Sequence, residues 1–208
     1  HRSIIVPQLG APGVSAGQVT RETSFRVVYG PVRAKDIAEF LSANCRATAD
    51  MRLVRFTLGD RAALVPMELL PALRKSATWI VVLLLVLGVE TRGIMFASVT
   101  GVGLPFVFTG LAALFAGTVG VPLLLPFIPA RSFAVKGWLL GAFAVAAAIP
   151  AAGIHDLLLI TAAVLFFPSL SSFLALNFTG STPFTGMSGV RRELRIALPV
   201  YLASAAVS

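Results

Sequence analysis

The sequence predicts a small α/β segment followed by an all-α transmembrane bundle of about five helices. Of its 208 residues, 57% are hydrophobic and only 12% are charged, whereas a soluble domain is usually about 25% charged. Residues 1–75 hold 11 of the 17 Lys and Arg residues and 6 of the 9 Asp and Glu residues, so the remainder is strongly apolar. The composition therefore indicates that the first region lies in water and the second in the lipid bilayer. We expect domains at 1–70 and 71–208.

Three further features of the composition limit the function. The net charge of +8 is shared by both regions and forms no single dense patch, so the basic balance does not predict a nucleic-acid partner. The single cysteine, Cys45, excludes an internal disulfide framework and a multi-cysteine metal site within this chain. Because the chain begins at His1, just before a strand-like run, we expect it to be a piece of a longer protein.

Strand, loop and helix signals alternate through the first region. Ser15 and Gln18 lie three residues apart, which is a capping-box signal for a helix start. The predicted elements, in chain order, are a strand at 3–7, a helix after Ser15, a strand at 25–30, a helix at 35–43 and a strand at 51–58. The order β-α-β-α-β indicates a doubly wound α/β sheet with helices on its faces.

Two Gly- and Pro-containing loops follow the first two predicted strands. In a doubly wound sheet, ligands bind beyond the carboxyl ends of the strands, where loops and helix N-termini leave backbone N–H groups free. The candidate binding residues are therefore Gln8, Leu9, Gly10, Ala11, Pro12, Gly13, Val14, Gly30, Pro31, Val32 and Arg33. The alternative is that the glycines only permit tight turns. Neither loop contains GxGxxG, so the fingerprint of a nicotinamide or flavin nucleotide is absent.

The second region contains five apolar stretches that are candidates for membrane helices. A spanning helix needs about 20 mostly apolar residues, and the stretches lie at about 74–96, 104–128, 137–154, 157–176 and 196–208. The last one is cut off by the end of the sequence. No Asp, Glu, Lys or Arg is expected near the centre of a predicted span, which disfavours ion or proton transport.

The charges between the predicted spans indicate an orientation. Arg74 and Lys75 precede the first span, Arg131 and Lys136 separate the second from the third, and three arginines separate the fourth from the fifth. The intervening connections carry almost no cations. Because cytoplasmic loops are enriched in Lys and Arg, we expect a multi-pass protein of the cytoplasmic membrane with its α/β domain in the cytoplasm.

A polar segment at 177–195 separates the last two predicted spans. It is rich in Gly, Ser and Thr and ends in arginines, a composition typical of a shaped loop at the membrane surface. As candidate residues for docking a domain or a partner we take Asn177, Thr179, Gly180, Thr185, Ser188, Arg191 and Arg192. The alternative is that the segment only caps two helices and supplies positive-inside charge.

Four runs of the sequence carry a resemblance to a known family. They are RSIIVPQLGAPGVSA, FRVVYGPVRAKDIAEFL, MRLVRFTLGDRAALVPMEL and SSFLALNFTGSTPFTGMSGVRRELRIALP. Together they resemble the HgcA family, the membrane corrinoid proteins of microbial mercury methylation. The run GPVRAKDIAEFL is also similar to the corrinoid-binding domain of the large subunit of corrinoid iron–sulfur proteins.

The resemblance implies a Rossmann-like corrinoid-binding half domain, with a corrinoid (cobalamin) as cofactor, on a transmembrane anchor. It implies a corrinoid-dependent methyltransferase that transfers a cobalt-bound methyl group to Hg(II), forming methylmercury. The implied partners are an HgcB-type ferredoxin-like electron donor and a methylated corrinoid donor system. On this resemblance, the loops at 8–14 and 30–33 face the corrin ring, and Arg33 meets a propionamide or the phosphate of the nucleotide tail.

One family feature is missing from this sequence. The family's cobalt-ligating thiolate lies in a motif that resembles Asn-Val-Trp-Cys-Ala-Ala-Gly-Lys, and no such run occurs here. We expect that motif to precede His1 in the intact protein and the present chain alone to be inactive. Cys45 is expected to be a partly buried thiol at a helix end. The remaining alternatives are a corrinoid methyl carrier with another acceptor, and a non-catalytic membrane transport or scaffold protein.

Overall fold

The computed structural model describes residues 2–53, 56–90, 93–94, 98–178 and 187–207. The chain divides into two compact units, His1–Phe56 and Thr57–Ser208. The division therefore lies 14 residues before the expected boundary at residue 70. The reason is that the first long helix starts well before the stretch that is apolar enough to span a membrane.

The first unit is built on two parallel strands joined by a helix. Strand β1 (Ser3–Val6) pairs with strand β2 (Arg26–Tyr29), with Ser3 opposite Arg26 and Val6 opposite Tyr29. Helix α1 (Ala16–Thr23) makes the crossover, and the Ser15 side chain accepts a hydrogen bond from the Gln18 backbone N–H as the capping signal predicts. Helix α2 covers Ile37–Ser42. A β-α-β-α order is thus confirmed at this coarse level.

The predicted third strand at 51–58 is wrong at both of its ends. Asp50–Arg52 forms a 3-10 turn, and Leu58 already begins a helix; residues 54–55 lie outside the described part. The cause is a reciprocal cap. Asp60 Oδ2 accepts a hydrogen bond from the Thr57 N–H at 2.9 Å, and Thr57 Oγ1 accepts one from the Asp60 N–H at 3.3 Å. This cap starts a helix where the apolar alternation alone favours a strand.

The second unit is helical. Its helices are α3 (Leu58–Gly88), α4 (Val99–Leu123, with two π-helical turns), α5 (Phe133–Ala151), α6 (Leu157–Asn177) and α7 (Met187–Val207). A two-residue antiparallel pair joins β3 (Val89–Glu90) to β4 (Gly93–Ile94). In the described chain, α3 to α6 are long and apolar enough to cross a membrane by length and composition. Four of the five expected spans are therefore supported, and α7 does not meet that criterion.

The first membrane helix differs from the prediction in its register. It was expected at 74–96, but the helix runs from Leu58 to Gly88, and Leu73 is the sixteenth of its 31 residues. Arg74 and Lys75 therefore lie at the middle of α3 and not at its edge.

Small residues allow α5 and α6 to pack closely. A Cβ atom added at Gly137 would lie 2.6 Å from the Ala175 Cβ, and one added at Gly141 would lie 2.5 Å from the Ser171 Cβ. Ser171 Oγ donates a hydrogen bond to the Gly137 carbonyl oxygen, and Ser172 Oγ donates one to the Ala134 carbonyl oxygen. Small residues with hydroxyl contacts are typical of helix interfaces in membranes, where apolar area gives little driving force for association.

Candidate functional site

The two loops that the sequence analysis selected lie side by side in the first unit. Since β1 and β2 are parallel, the segments after Val6 and after Tyr29 leave the sheet at the same edge. The Gln8 N–H donates to the Pro31 carbonyl oxygen at 3.0 Å, and the Leu9 N–H donates to the Val32 carbonyl oxygen at 3.3 Å. The structure therefore joins the two loops directly.

The loop at 30–32 is buried and its backbone is used within the fold. The Gly30 N–H donates to the Val6 carbonyl oxygen, and its own carbonyl oxygen accepts a hydrogen bond from Gln8 Nε2 at 3.3 Å. A Cβ atom at Gly30 would lie 2.7 Å from Ile5 Cγ2. The Val32 N–H donates to the Met51 carbonyl oxygen at 2.9 Å. Close packing against Ile5 thus requires glycine at position 30. The buried loop at 30–32 also accepts the hydrogen bonds that hold the loop at 8–14.

The loop at 8–14 forms the exposed surface of the pair. Gln8–Gly13 folds as a 3-10 turn that contains Pro12, and no residue of that turn is buried. The Leu9 side chain is 56% exposed. A Cβ atom at Gly13 would meet nothing within 4 Å. Exposed small and apolar residues of this kind let a large flat ligand approach the backbone.

A groove of about 720 Å³ begins at Gln8 and runs beside the second strand. Its polar lining consists of Gln8, Tyr29, Cys45, Arg46 and Arg52. Cys45 is exposed, not partly buried as expected. It follows α2 in a left-handed conformation with φ 58°, and its N–H donates to the Phe40 carbonyl oxygen at 2.9 Å. This helix-ending turn directs the thiol outward.

Arg33 is separated from the residues of that groove. It is half-buried and lines a second depression, of about 560 Å³, together with Lys35, Asp36, Glu39 and Asp50. Arg33 was expected at the same site as residues 8–14 because both loops follow strands of a doubly wound sheet. The structure brings the backbones of the two loops together but gives the Arg33 side chain acidic surroundings of its own.

Sequence reasoning missed the residues that follow α2. The groove is lined by Cys45 and Arg46, in the turn after α2, and by Arg52, in a 3-10 segment. Neither segment has a periodic sequence pattern that would predict its position. The pair of left-handed residues Asn44 and Cys45 ends α2, and an Asn just after an amphipathic run is the only available signal for that turn. Among the described residues, no three His, Cys, Asp or Glu side chains come together as a possible metal site.

The second candidate site, the polar segment at 177–195, is described only in part. Asn177 ends α6 and is exposed, Thr179, Gly180 and Thr185 lie outside the described residues, and nothing can be said of the Ser188 side chain. Arg191 and Arg192 are exposed in the first turns of α7. The candidate arginines are therefore available at the surface.

Glu193, which the sequence analysis did not select, fixes this end of α7. Its Oε2 accepts a hydrogen bond from Ser132 Oγ at 2.9 Å and another from the Ala134 N–H at 3.2 Å, at the start of α5. Two turns further on, the Tyr201 hydroxyl lies 2.6 Å from Ser172 Oγ on α6. These contacts hold one face of α7 against the bundle.

Comparison with protein-family models, with curated proteins and with solved structures gave no match to this chain. The structure by itself defines a class: a helical protein with four potential membrane spans and a small α/β unit that precedes them. A more specific assignment depends on the residue runs themselves.

Proposed function

We propose that this chain is part of a membrane-anchored, corrinoid-dependent methyltransferase of the HgcA type that forms methylmercury from Hg(II). The observation that carries the proposal is the position of the loop at 8–14. It is exposed, small and apolar, and it leaves a parallel strand at the edge where α/β sheets bind their ligands. The four runs that resemble the family include this loop and the segment that supports it.

In this proposal the residues at 8–14 contact the face or rim of the corrin ring. Leu9, Gly10, Ala11, Pro12 and Gly13 are the contacting set, and Gly30, Pro31 and Val32 keep that turn in place through their carbonyl oxygens. A bound corrinoid supplies a cobalt centre that carries a methyl group for transfer to Hg(II). This chain contributes part of the cofactor's binding surface, and the cobalt-ligating cysteine is expected upstream of it.

The proposal includes an orientation and partners. We propose that these helix ends and the α/β unit lie on the cytoplasmic side of the inner membrane. Cations at the α4–α5 connection and in the first turns of α7 support this orientation by the positive-inside rule. An HgcB-type ferredoxin-like protein then meets the chain in the cytoplasm. Arg191 and Arg192 are proposed as its docking residues because an acidic partner is attracted to exposed guanidinium groups.

The proposal is tested on the intact gene product, purified from membranes with corrinoid supplied during expression. We expect corrin absorbance bands in the visible range that remain with the protein through gel filtration. Their absence would exclude this function and the alternative of a corrinoid methyl carrier, leaving a transport or scaffold protein.

A second measurement separates the two corrinoid functions. Cells that carry the intact operon are expected to convert Hg(II) to methylmercury, and to lose this activity when the expected upstream cysteine is replaced. A protein that retains corrinoid and forms no methylmercury would instead be a carrier with another methyl acceptor.

A further inference from the structure

The groove that begins at Gln8 lies where α/β sheets bind their ligands. Val28 and Tyr29, at the end of β2, line it together with Phe40 of α2, which is only 4% exposed. Because β1 and β2 are parallel, their carboxyl ends meet at this edge of the sheet. The groove's volume of about 720 Å³ falls within the range of about 300–1,000 Å³ that is usual for small-molecule sites. Its position and its size therefore both suit a small ligand.

Arg46 and Arg52 supply the charge of this groove. Both arginines are exposed and line it. In the part of the chain that the structure describes, neither side chain has a hydrogen-bond or ion-pair partner. A guanidinium group carries a permanent positive charge and five N–H donors in a planar fork. The groove thus presents two sets of charged donors that the fold does not use.

The acidic residues of the α/β unit lie elsewhere. There are four of them: Glu22, Asp36, Glu39 and Asp50. Glu22, on α1, accepts a hydrogen bond from Gln18 Nε2 at 3.0 Å, and the other three line the depression that contains Arg33. No acidic side chain is among the described residues that line the groove. Its two cations are therefore available to an anion, whereas those of the second depression have acidic neighbours.

Backbone hydrogen bonds fix the positions from which both arginines extend. The Cys45 N–H donates to the Phe40 carbonyl oxygen, which turns the chain directly before Arg46. Arg52 follows Met51, which is 3% exposed and whose carbonyl oxygen accepts a hydrogen bond from the Val32 N–H at 2.9 Å. Because the backbone is already held, binding an anion requires the ordering of side chains alone, which lowers its entropic cost.

We propose that Arg46 and Arg52 bind the phosphate of a nucleotide-like ligand, a phosphate ester that carries a flat ring. Guanidinium groups bind phosphate oxygens through paired, charge-assisted hydrogen bonds. The Tyr29 side chain, which is 46% exposed, offers an aromatic surface to the flat ring.

Two sources can supply this chemistry, the nucleotide tail of a corrinoid and a free nucleotide. For the first source the inference rests on the proposed function, and it assigns the tail phosphate to Arg46 and Arg52 in place of Arg33. For the second source it is independent of corrinoid binding.

The test uses Cys45 as a reporter, because its thiol is exposed and lines the same groove. The intact gene product in detergent is labelled with N-ethylmaleimide, and the rate of labelling at Cys45 is read by peptide mass spectrometry. Two pairs of ligands are compared, adenosine monophosphate with adenosine, and cyanocobalamin with dicyanocobinamide, which lacks the nucleotide tail. We expect the phosphate-bearing member of at least one pair to slow labelling several-fold and its counterpart to have no effect.

Substitutions then assign the effect to the two arginines. Arg46→Gln and Arg52→Gln should each weaken the protecting ligand at least about tenfold, because charge-assisted hydrogen bonds are lost. Arg21→Gln is the matched control, since this arginine is exposed on α1 and is not among the residues that line the groove. For every variant the rate with ligand is divided by the rate without it, which removes any direct effect of the charge on the thiol.

Each outcome decides between the sources or against the proposal. Protection by adenosine monophosphate alone would identify a free nucleotide as the ligand, and protection by cyanocobalamin alone would identify the corrinoid tail. The proposal is overturned if neither phosphate-bearing ligand protects Cys45 better than its counterpart, or if protection is unchanged in the Arg46→Gln, Arg52→Gln double variant. Corrin absorbance that stays with the protein while Cys45 remains unprotected would overturn this inference and leave the proposed function standing.

Discussion

Ser171 on α6 donates a hydrogen bond of 2.9 Å to the carbonyl oxygen of Gly137 on α5, and both residues are buried. The bond is possible because Gly137 has no side chain between the two helices. The same closeness brings the α6 backbone against α5 at Gly141. The α5–α6 pair is thus held by close backbone approach together with hydroxyl contacts.

Replacement of Gly137 by Ala is expected to destabilise the helical unit by about 1–3 kcal/mol, the usual cost of overpacking. The new Cβ would lie 2.6 Å from the Ala175 Cβ and 2.7 Å from the Ser172 Cα. Thermal unfolding in detergent, followed by tryptophan fluorescence, measures the effect. Gly101→Ala is the control because a Cβ atom there meets nothing within 4 Å. Equal melting temperatures for the two variants would contradict the packing described here.

Glu193→Ala is expected to cost about 1 kcal/mol and to loosen α7, because the start of α5 loses a carboxylate acceptor near its positive dipole end. Glu193→Gln retains an acceptor and should have a smaller effect. The measurement is limited proteolysis in α7 together with the melting temperature. Arg195→Ala serves as the exposed control on the same helix; a similar response from this variant would argue against a specific role for Glu193.

Gly30→Ala is expected to destabilise the α/β unit, because its Cβ would lie 2.7 Å from Ile5 Cγ2 and a β-branched side chain has little freedom to move. The cost should again be about 1–3 kcal/mol. Gly13→Ala, in open space, should leave stability unchanged. Protease resistance of the α/β unit in the intact protein reports the difference.

Gly13→Phe tests the proposed cofactor contact separately from stability. The ring would project from an exposed turn into open space, so the fold should tolerate it, while a flat ligand seated on that turn would be displaced. We expect visible corrin absorbance to fall at least several-fold with an unchanged melting temperature. Full retention of the absorbance would remove the turn at 8–13 from the proposed binding surface.

Fusion reporters test the proposed orientation. A reporter joined after Arg195 should be active as a cytoplasmic protein, and one joined at Asp156 should behave as exported, since only the first position belongs to the cation-rich side. Alkaline phosphatase and green fluorescent protein at each site provide opposite readouts. The opposite pair of results, with Arg195 exported and Asp156 cytoplasmic, would contradict the proposed orientation and would put the α/β unit on the outer side.

Local signals in the sequence predicted some elements well and others incorrectly. Ser15 marked the start of α1 and the 157–176 stretch matched α6, because a cap and a run of apolar residues act over one helix. The start of α3 was missed because Thr57 and Asp60 cap each other in a stretch that alternates like a strand. Arg74 and Lys75 were expected to precede the first span, whereas α3 continues through them.

The candidate site was predictable only in part for a related reason. Consecutive parallel strands imply that the loops after them are neighbours, and the sequence pattern indicated both loops as candidates for one binding site. Which loop is buried depends on Ile5, Phe40 and Met51, which pack around or bond to it from other elements. The anchoring of Glu193 to Ser132 spans 61 residues, and no local pattern encodes such a contact.

The sequence by itself determined that apolar helices follow a strand-helix-strand unit, because burial in lipid and the period of a strand are properties of short segments. Only the tertiary structure decided that Gly30 lies inside the unit while Gly13 faces outward. These outcomes depend on how segments distant in sequence pack against one another. Many arrangements satisfy the same local preferences, and close packing with hydrogen bonding across the fold selects one of them.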